Sequence, residues 1–189
     1  MTAVGAQNSP MQQDSDSRNS GHALGRVMIW LAWIVLLALL TYLFSQYLDR
    51  QNNPNRNLAT SVKASGAMEV VLQRNRAGHY VASGQINGKS VIFLLDTGAT
   101  NVAIPLRLAS KLGLKKGAES RSMTANGEVI SWLTRLDRVE LGGIVMKDVR
   151  AAILPGMGGK EVLLGMSFLK HLDLIQSGDT LVVRVPSND

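Results

Sequence analysis

Val91-Ile92-Phe93-Leu94-Leu95-Asp96-Thr97-Gly98 sets five apolar residues directly before a carboxylate, with a glycine two positions beyond it. A short continuous apolar run of this kind reads as a buried strand. Asp96 is then held at the strand's edge, and Gly98 lets backbone come close to the carboxylate. That arrangement suits a carboxylate that does chemistry. Asp and Gly are also common turn formers, so the bare tripeptide fits a plain turn as well. A lone carboxylate cannot be both acid and base, and Asp-Thr-Gly occurs once in the chain. If Asp96 is catalytic, the second aspartate comes from a second chain.

Outward from this strand the pattern is one of short strands between turns. Tyr80 to Ile86 and Ser90 to Leu95 flank Asn87-Gly88, a strong hairpin signal. Met68 to Leu72 reads as a first strand and Val102 to Ile104 as a short one. Pro105 opens a helix over Leu106 to Leu112, and Gly113 closes it. Arg121 to Thr124 and Glu128 to Thr134 flank Asn126-Gly127 as a second hairpin. Arg138 to Leu141 and Val149 to Leu154 lie around Gly142-Gly143, and Pro155 to Gly159 is a loop. Met166 to Leu172 reads as a short helix, and Leu174 to Gln176 pairs with Leu181 to Val185 around Gly178-Asp179. Such a series predicts an all-β domain, a small closed barrel with one or two short helices, over residues 67–189. No internal repeat is visible.

Three strings in order carry a resemblance: Asp96-Thr97-Gly98-Ala99-Thr100, Ala125-Asn126-Gly127, and Leu163-Leu164-Gly165-Met166-Ser167-Phe168-Leu169. The chain resembles the retropepsin-like (clan AA) aspartic proteases, in which Asp-Thr/Ser-Gly-Ala/Ser marks the active-site loop. It is most similar to a membrane-anchored, single-lobe bacterial branch of them, over roughly residues 67 to 185. The resemblance implies a single-lobe acid-protease fold and an endopeptidase acting on polypeptide. Asp96 from each of two subunits would form the dyad, so the homodimer is required. Thr97 would brace the loop across the two-fold axis, Gly98 would bring an N–H to the carboxylates, and Ala99 would keep the space beside them small. Thr124, Ala125, Asn126 and Gly127 match the family's flap, which with Ala99 would contact substrate. This flap is less glycine-rich than retroviral ones and lacks the tyrosine that pepsins place there. Leu163, Leu164 and Gly165 would support the loop from beneath. No cofactor and no metal are implied. The alternative reading is a catalytically silent, membrane-anchored β-barrel that binds peptide without cutting it.

Composition narrows the classes further. The 189 residues contain no cysteine, which excludes disulfides, a thiol nucleophile and cysteine zinc sites. His22, His79 and His171 are scattered without metal-ligand spacing. The net charge of +6 is spread along the chain, and the densest basic cluster is Lys111, Lys115, Lys116 and Arg121. Nucleic-acid binders show a basic stripe with aromatic platforms, so no nucleic-acid partner is expected.

Residues 1–26 are largely polar, and the first 25 read as a disordered tail. Val27 to Leu48 carries no charge. As a helix it measures about 33 Å, the thickness of a bilayer's hydrocarbon core. Trp30, Trp33, Tyr42 and Tyr47 lie toward its ends, where aromatic rings favour the interface. It therefore reads as one transmembrane helix, too long and too late for a cleaved signal peptide. Residues 49–66 read as a linker. Flanking basic residues on both sides leave orientation undecided by charge. The short tail and the resemblance favour a single-pass inner-membrane protein with its C-terminal domain in the periplasm.

Overall fold

A computed structural model describes residues 17–58, 60–62, 68–124 and 127–186. By chain contacts the molecule divides into residues 1–47 and residues 48–189.

The first unit is helical. Helix α1 runs from Ser17 to Asn52. It begins ahead of the uncharged run, so the tail expectation is corrected for residues 17–26, while residues 1–16 lie outside the described set. No proline interrupts Ser17–Arg26, and a helix nucleated by a long apolar run propagates cheaply into its neighbours. Every large apolar side chain from Val27 to Leu48 is exposed. Gly25–Asn52 is long and apolar enough to cross a membrane.

The second unit is β-rich. Its elements are β1 Thr60–Val62, β2 Met68–Gln73, β3 Val81–Ile86, β4 Lys89–Leu95, β5 Val102–Pro105, α2 Leu106–Leu112, β6 Glu119–Thr124, β7 Gly127–Leu141, β8 Ile144–Leu154, β9 Glu161–Leu164, α3 Met166–Leu169, β10 Asp173–Ser177 and β11 Thr180–Arg184. Six strands close a barrel in the order β3-β4-β9-β5-β8-β7, with β7 returning to pair β3. Strands β4 and β9 are parallel, as are β5 and β8. Closure removes the exposed edges an open sheet would carry. Gly84 sits at the closing seam. A Cβ there would lie 2.4 Å from the Glu140 carbonyl oxygen and 2.5 Å from the Phe93 ring.

A second, antiparallel sheet has the order β1-β2-β11-β10. Its Val70, Leu72, Leu181 and Val183 join the barrel's Phe93, Ile104, Leu136 and Leu164 in one core. Glu69 is buried opposite Arg184, whose Nε donates to it at 2.6 Å. Helix α2 follows the expected plan: Pro105 precedes it and Gly113 ends it with φ 75°. The Lys89 ammonium donates to the Lys111 and Leu112 carbonyls at its C-terminus.

One strand expectation and one helix expectation are corrected. Glu128–Thr134 and Arg138–Leu141 belong to one 15-residue strand, because Arg135 and Leu136 keep pairing with Arg150 and Val149. Helix α3 stops at Leu169, and a turn carries the chain to Leu172.

The expected linker over residues 49–66 is also corrected, at β1, which pairs with β2, and over its first half. Residues 49–52 remain helical, and Asn53 and Asn55 are buried on the β-rich unit. The Asn55 amide donates to the carbonyls of Gln73 (2.9 Å) and Val81 (2.7 Å) and accepts from the Gln73 N–H (2.7 Å). Its carbonyl accepts from the Ser83 N–H, forming a parallel bridge with Ala82. Asn53 donates to the Ser83 hydroxyl, and the Asn75 amide donates to the Asn52 carbonyl. Leu58 packs on the core. A polar stretch is thus ordered because its amides satisfy backbone groups that β2 and β3 leave open at their ends.

Candidate active site

Strand β4 buries Val91 and Phe93, and Asp96 follows its last residue, half-buried. The Asp96 N–H donates to the Leu164 carbonyl at 3.2 Å, so the aspartate is fixed by the strand parallel to its own. Its Oδ1 accepts the Gly98 N–H at 2.9 Å. A Cβ on Gly98 would lie 3.1 Å from that oxygen, so a larger residue would crowd the carboxylate. Hydrogen bonding of this kind fixes the orientation of a carboxylate. Thr97 and Gly98 are exposed, while Ala99 is half-buried.

The loop's return is stitched to the start of α3. The Ala99 carbonyl accepts from the Met166 N–H (2.8 Å), and the Thr100 carbonyl from the Ser167 N–H (2.9 Å). These bonds bring main chain against main chain at Gly165. A Cβ there would meet the Asn101 carbonyl oxygen at 2.3 Å and the Ala99 carbonyl oxygen at 2.6 Å. Glycine is required because backbone cannot move aside as a side chain tip can.

Ser167 adds two bonds with no forecast role. Its hydroxyl accepts from the Val102 N–H (3.0 Å) and donates to the Arg150 carbonyl (2.8 Å), tying the loop's exit to β8. It lay inside the third motif, but nothing in its neighbours marks a hydroxyl as a bridge. Leu163 and Leu164, both expected beneath the loop, face opposite ways. Leu164 is fully buried in the core, whereas Leu163 is half-buried in a small second cluster with Ala103, Ala152, Leu154, Val129 and Met157. Strand alternation forces this split, and the period of two was the available signal.

Strands β6 and β7 form an arm. Residues 127–131 of β7 pair only with β6 among the described residues, and β8 joins from Trp132 onward. Thr124 pairs with Gly127, whose φ is 103°. Ala125 and Asn126, the expected flap tip, lie outside the described residues. Ser131 at the arm's base is buried and donates to the Ser120 carbonyl. Val129 of the arm and Leu163 beside the loop share the small apolar cluster, which links the two regions.

Asp96, Gly98, Ala99, Leu164 and Gly165 therefore form one bonded unit, and Thr124 and Gly127 sit on a separate arm. The unit is open to solvent on the Thr97–Gly98 side. A groove of about 410 Å³ lies elsewhere, lined by Ile144, Lys147, Asp148, His171 and Val185 among others, and includes none of the motif aspartate, threonine or glycine. Shape alone would point there. The bonded carboxylate is the stronger chemical indicator, because the Leu164 carbonyl and the Gly98 N–H hold Asp96 in one orientation beside an exposed loop.

Known proteins resemble this chain in sequence and in fold. Residues 82–171 match the family model described as "gag-polyprotein putative aspartyl protease". A Sinorhizobium protein described as "Uncharacterized protein in cobV 5'region" is 32% identical over 167 residues, covering 82% of this chain and 70% of that protein. The Rickettsia prowazekii protein described as "Uncharacterized protein RP867" is 33% identical over 107 residues, covering 54% of this chain and 45% of that one. The crystal structure of a retropepsin-like aspartic protease from Rickettsia conorii superposes with a TM-score of 0.52 at 26% identity, covering 68% of this chain and 94% of the other.

Proposed function

Because the chain belongs to the retropepsin-like aspartic protease family, we propose that it is a membrane-anchored endopeptidase whose dyad is Asp96 from each of two subunits. The observation that carries the reading is the seat of Asp96: a strand-end carboxylate bonded by the Gly98 N–H, on a loop tied down at Gly165 yet open at Thr97. Among the described residues, none of the hydrogen bonds of Asp96 comes from a second carboxylate, so the partner acid is assigned to a second chain.

Two carboxylates about 3 Å apart cannot both ionise, since like charge disfavours the second anion. One then takes a proton from the attacking water while the other gives its proton to the scissile carbonyl oxygen. Thr97, exposed at the open side, would meet its counterpart across the two-fold axis. The β6–β7 arm would cover an extended peptide and exclude water. The cluster of Ala103, Val129, Ala152, Leu154, Met157 and Leu163 supports a preference for apolar side chains beside the scissile bond. Helix α1 is read as a retained inner-membrane anchor, with the β-rich domain in the periplasm.

The test is a peptide-library digest by the full-length chain in detergent, across pH, beside Asp96→Asn. Cleavage should be internal to the peptides and absent in the variant. The rate profile should be bell-shaped, failing where both carboxylates are protonated and again where both are ionised. Wild-type activity in Asp96→Asn removes the mechanism. Peptide binding without cleavage by the wild type establishes the silent binder instead. Carbonate-washed membranes should retain the full-length chain, and protease added to the periplasmic face should remove the domain.

A further inference from the structure

The junction between α1 and the barrel limits where this site can act. Asn53 is buried in the domain immediately after the helix ends at Asn52. Asn55 then bridges the end of β2 to the start of β3 through three side-chain bonds of 2.7 to 2.9 Å. Further ties come from the same turn: Asn75 to the Asn52 carbonyl, Arg76 to Gln51, and Arg56 to Asp49. Strand β3 is the immediate partner of β4, with Ala82 opposite Phe93, and β4 ends at Asp96.

A path from Leu48 to Asp96 therefore uses only short steps. Five helical residues to Asn53 span about 8 Å, and two more residues to Asn55 about 7 Å. Two strand-to-strand steps, Asn55 to Ala82 and Ala82 to Phe93, add about 5 Å each, and three residues along β4 add about 10 Å. The carboxylate thus lies no more than about 35 Å from the end of the apolar run, whichever way the domain is turned. A free linker over residues 49–66 would by itself have reached about 60 Å.

We infer that the substrates are membrane-proximal: extended segments of other membrane-anchored polypeptides, within a few nanometres of the bilayer, rather than freely diffusing proteins. The Asn53–Asn55 clamp is the positioning device. This rests on the endopeptidase reading and on α1 as the anchor.

The test uses the full chain in proteoliposomes. The reporter is the peptide cleaved fastest in the library digest. It is offered free in solution, and also carried on a transmembrane helix behind proline-rich spacers of about 20 Å or about 90 Å. The near reporter should be cut at least ten-fold faster than the far one. A thirty-residue Gly/Ser insertion after Asn52 should erase the difference without changing the rate on free peptide. Equal rates on near and far reporters by the wild type, with free peptide cleaved, overturn the inference and leave the protease reading standing. No cleavage of any reporter, free peptide included, overturns both. A second readout needs no turnover. The chain has no cysteine, so Lys160→Cys takes a single dye for energy transfer to acceptor lipids. Transfer should fall at least two-fold on the Gly/Ser insertion, and transfer unchanged by it would refute the short reach.

Discussion

Two irregular segments flank the β3–β4 hairpin, and they are seated by opposite means. The loop from Asp96 to Asn101 is fixed by main chain on main chain, with α3 pressed so close that Gly165 has no room for a Cβ. The segment from Asn53 to Asn55 is fixed by side-chain amides, with Asn55 alone supplying three bonds to β2 and β3. The first constrains residue type severely, because only glycine tolerates such an approach. The second needs amides in the right place but looks, in sequence, like any polar stretch. Stability and legibility therefore part company: a segment can be firmly held and leave no signature.

The largest effect expected from breaking either seat is chemical. Asp96→Asn should lower the peptide cleavage rate by about 10²–10⁴-fold or more, with an unchanged urea midpoint. Adding excess Asp96→Asn chains should suppress the wild type as mixed dimers form. Undiminished activity in the mixture would contradict a two-chain site. Next is Gly165→Ala, which forces backbone apart beneath the loop and should cost about 2–4 kcal/mol by urea unfolding. Gly158→Ala is the control, since nothing lies within 4 Å of a Cβ there. If both variants melt alike, the close approach at Gly165 is not a constraint. Third, Asn55→Ala should cost about 2–3 kcal/mol, because it strands buried backbone groups of Gln73 and Val81. Its rate on free peptide per folded molecule should be that of the wild type, a split that Gly165→Ala would not give. The smallest effect belongs to the exposed ion pair of Arg135 and Asp148. The carboxylate raises the arginine's already high pKa, so Arg135 stays charged throughout the accessible pH range. Arg135→Gln should leave the urea midpoint unchanged at any pH, since solvent screens such pairs.

What was readable in the sequence follows the same division. Asn87-Gly88, Gly113 and Gly178 mark turns because each takes a positive φ, as does Asn87 itself at 50°. The Asp96 loop and its Gly165 support were readable because close contacts restrict composition. Strand β7 was read as two, since the charged residues of Arg135-Leu136-Asp137-Arg138 mask a ladder whose bonds are all main chain. Ser167 was not read as a bridge, because its two partners, Val102 and Arg150, are distant in sequence. The clamp at Asn55 was missed for the same reason.

The pairing of β2 with β11 sets an order of events during biogenesis. The first long strand of the domain, Met68–Gln73, lies between β1 and Thr180–Arg184, which is the last strand. Until Arg184 has been synthesised, Val70 and Leu72 lack the neighbour that buries them beside Leu181 and Val183. Pairing across so long a stretch of chain is slow to nucleate and cannot proceed piecemeal. The domain therefore cannot complete its core until its last strand has been synthesised, long after α1. Chains cut short before Thr180 should never mature, and they would offer quality-control proteases an open strand.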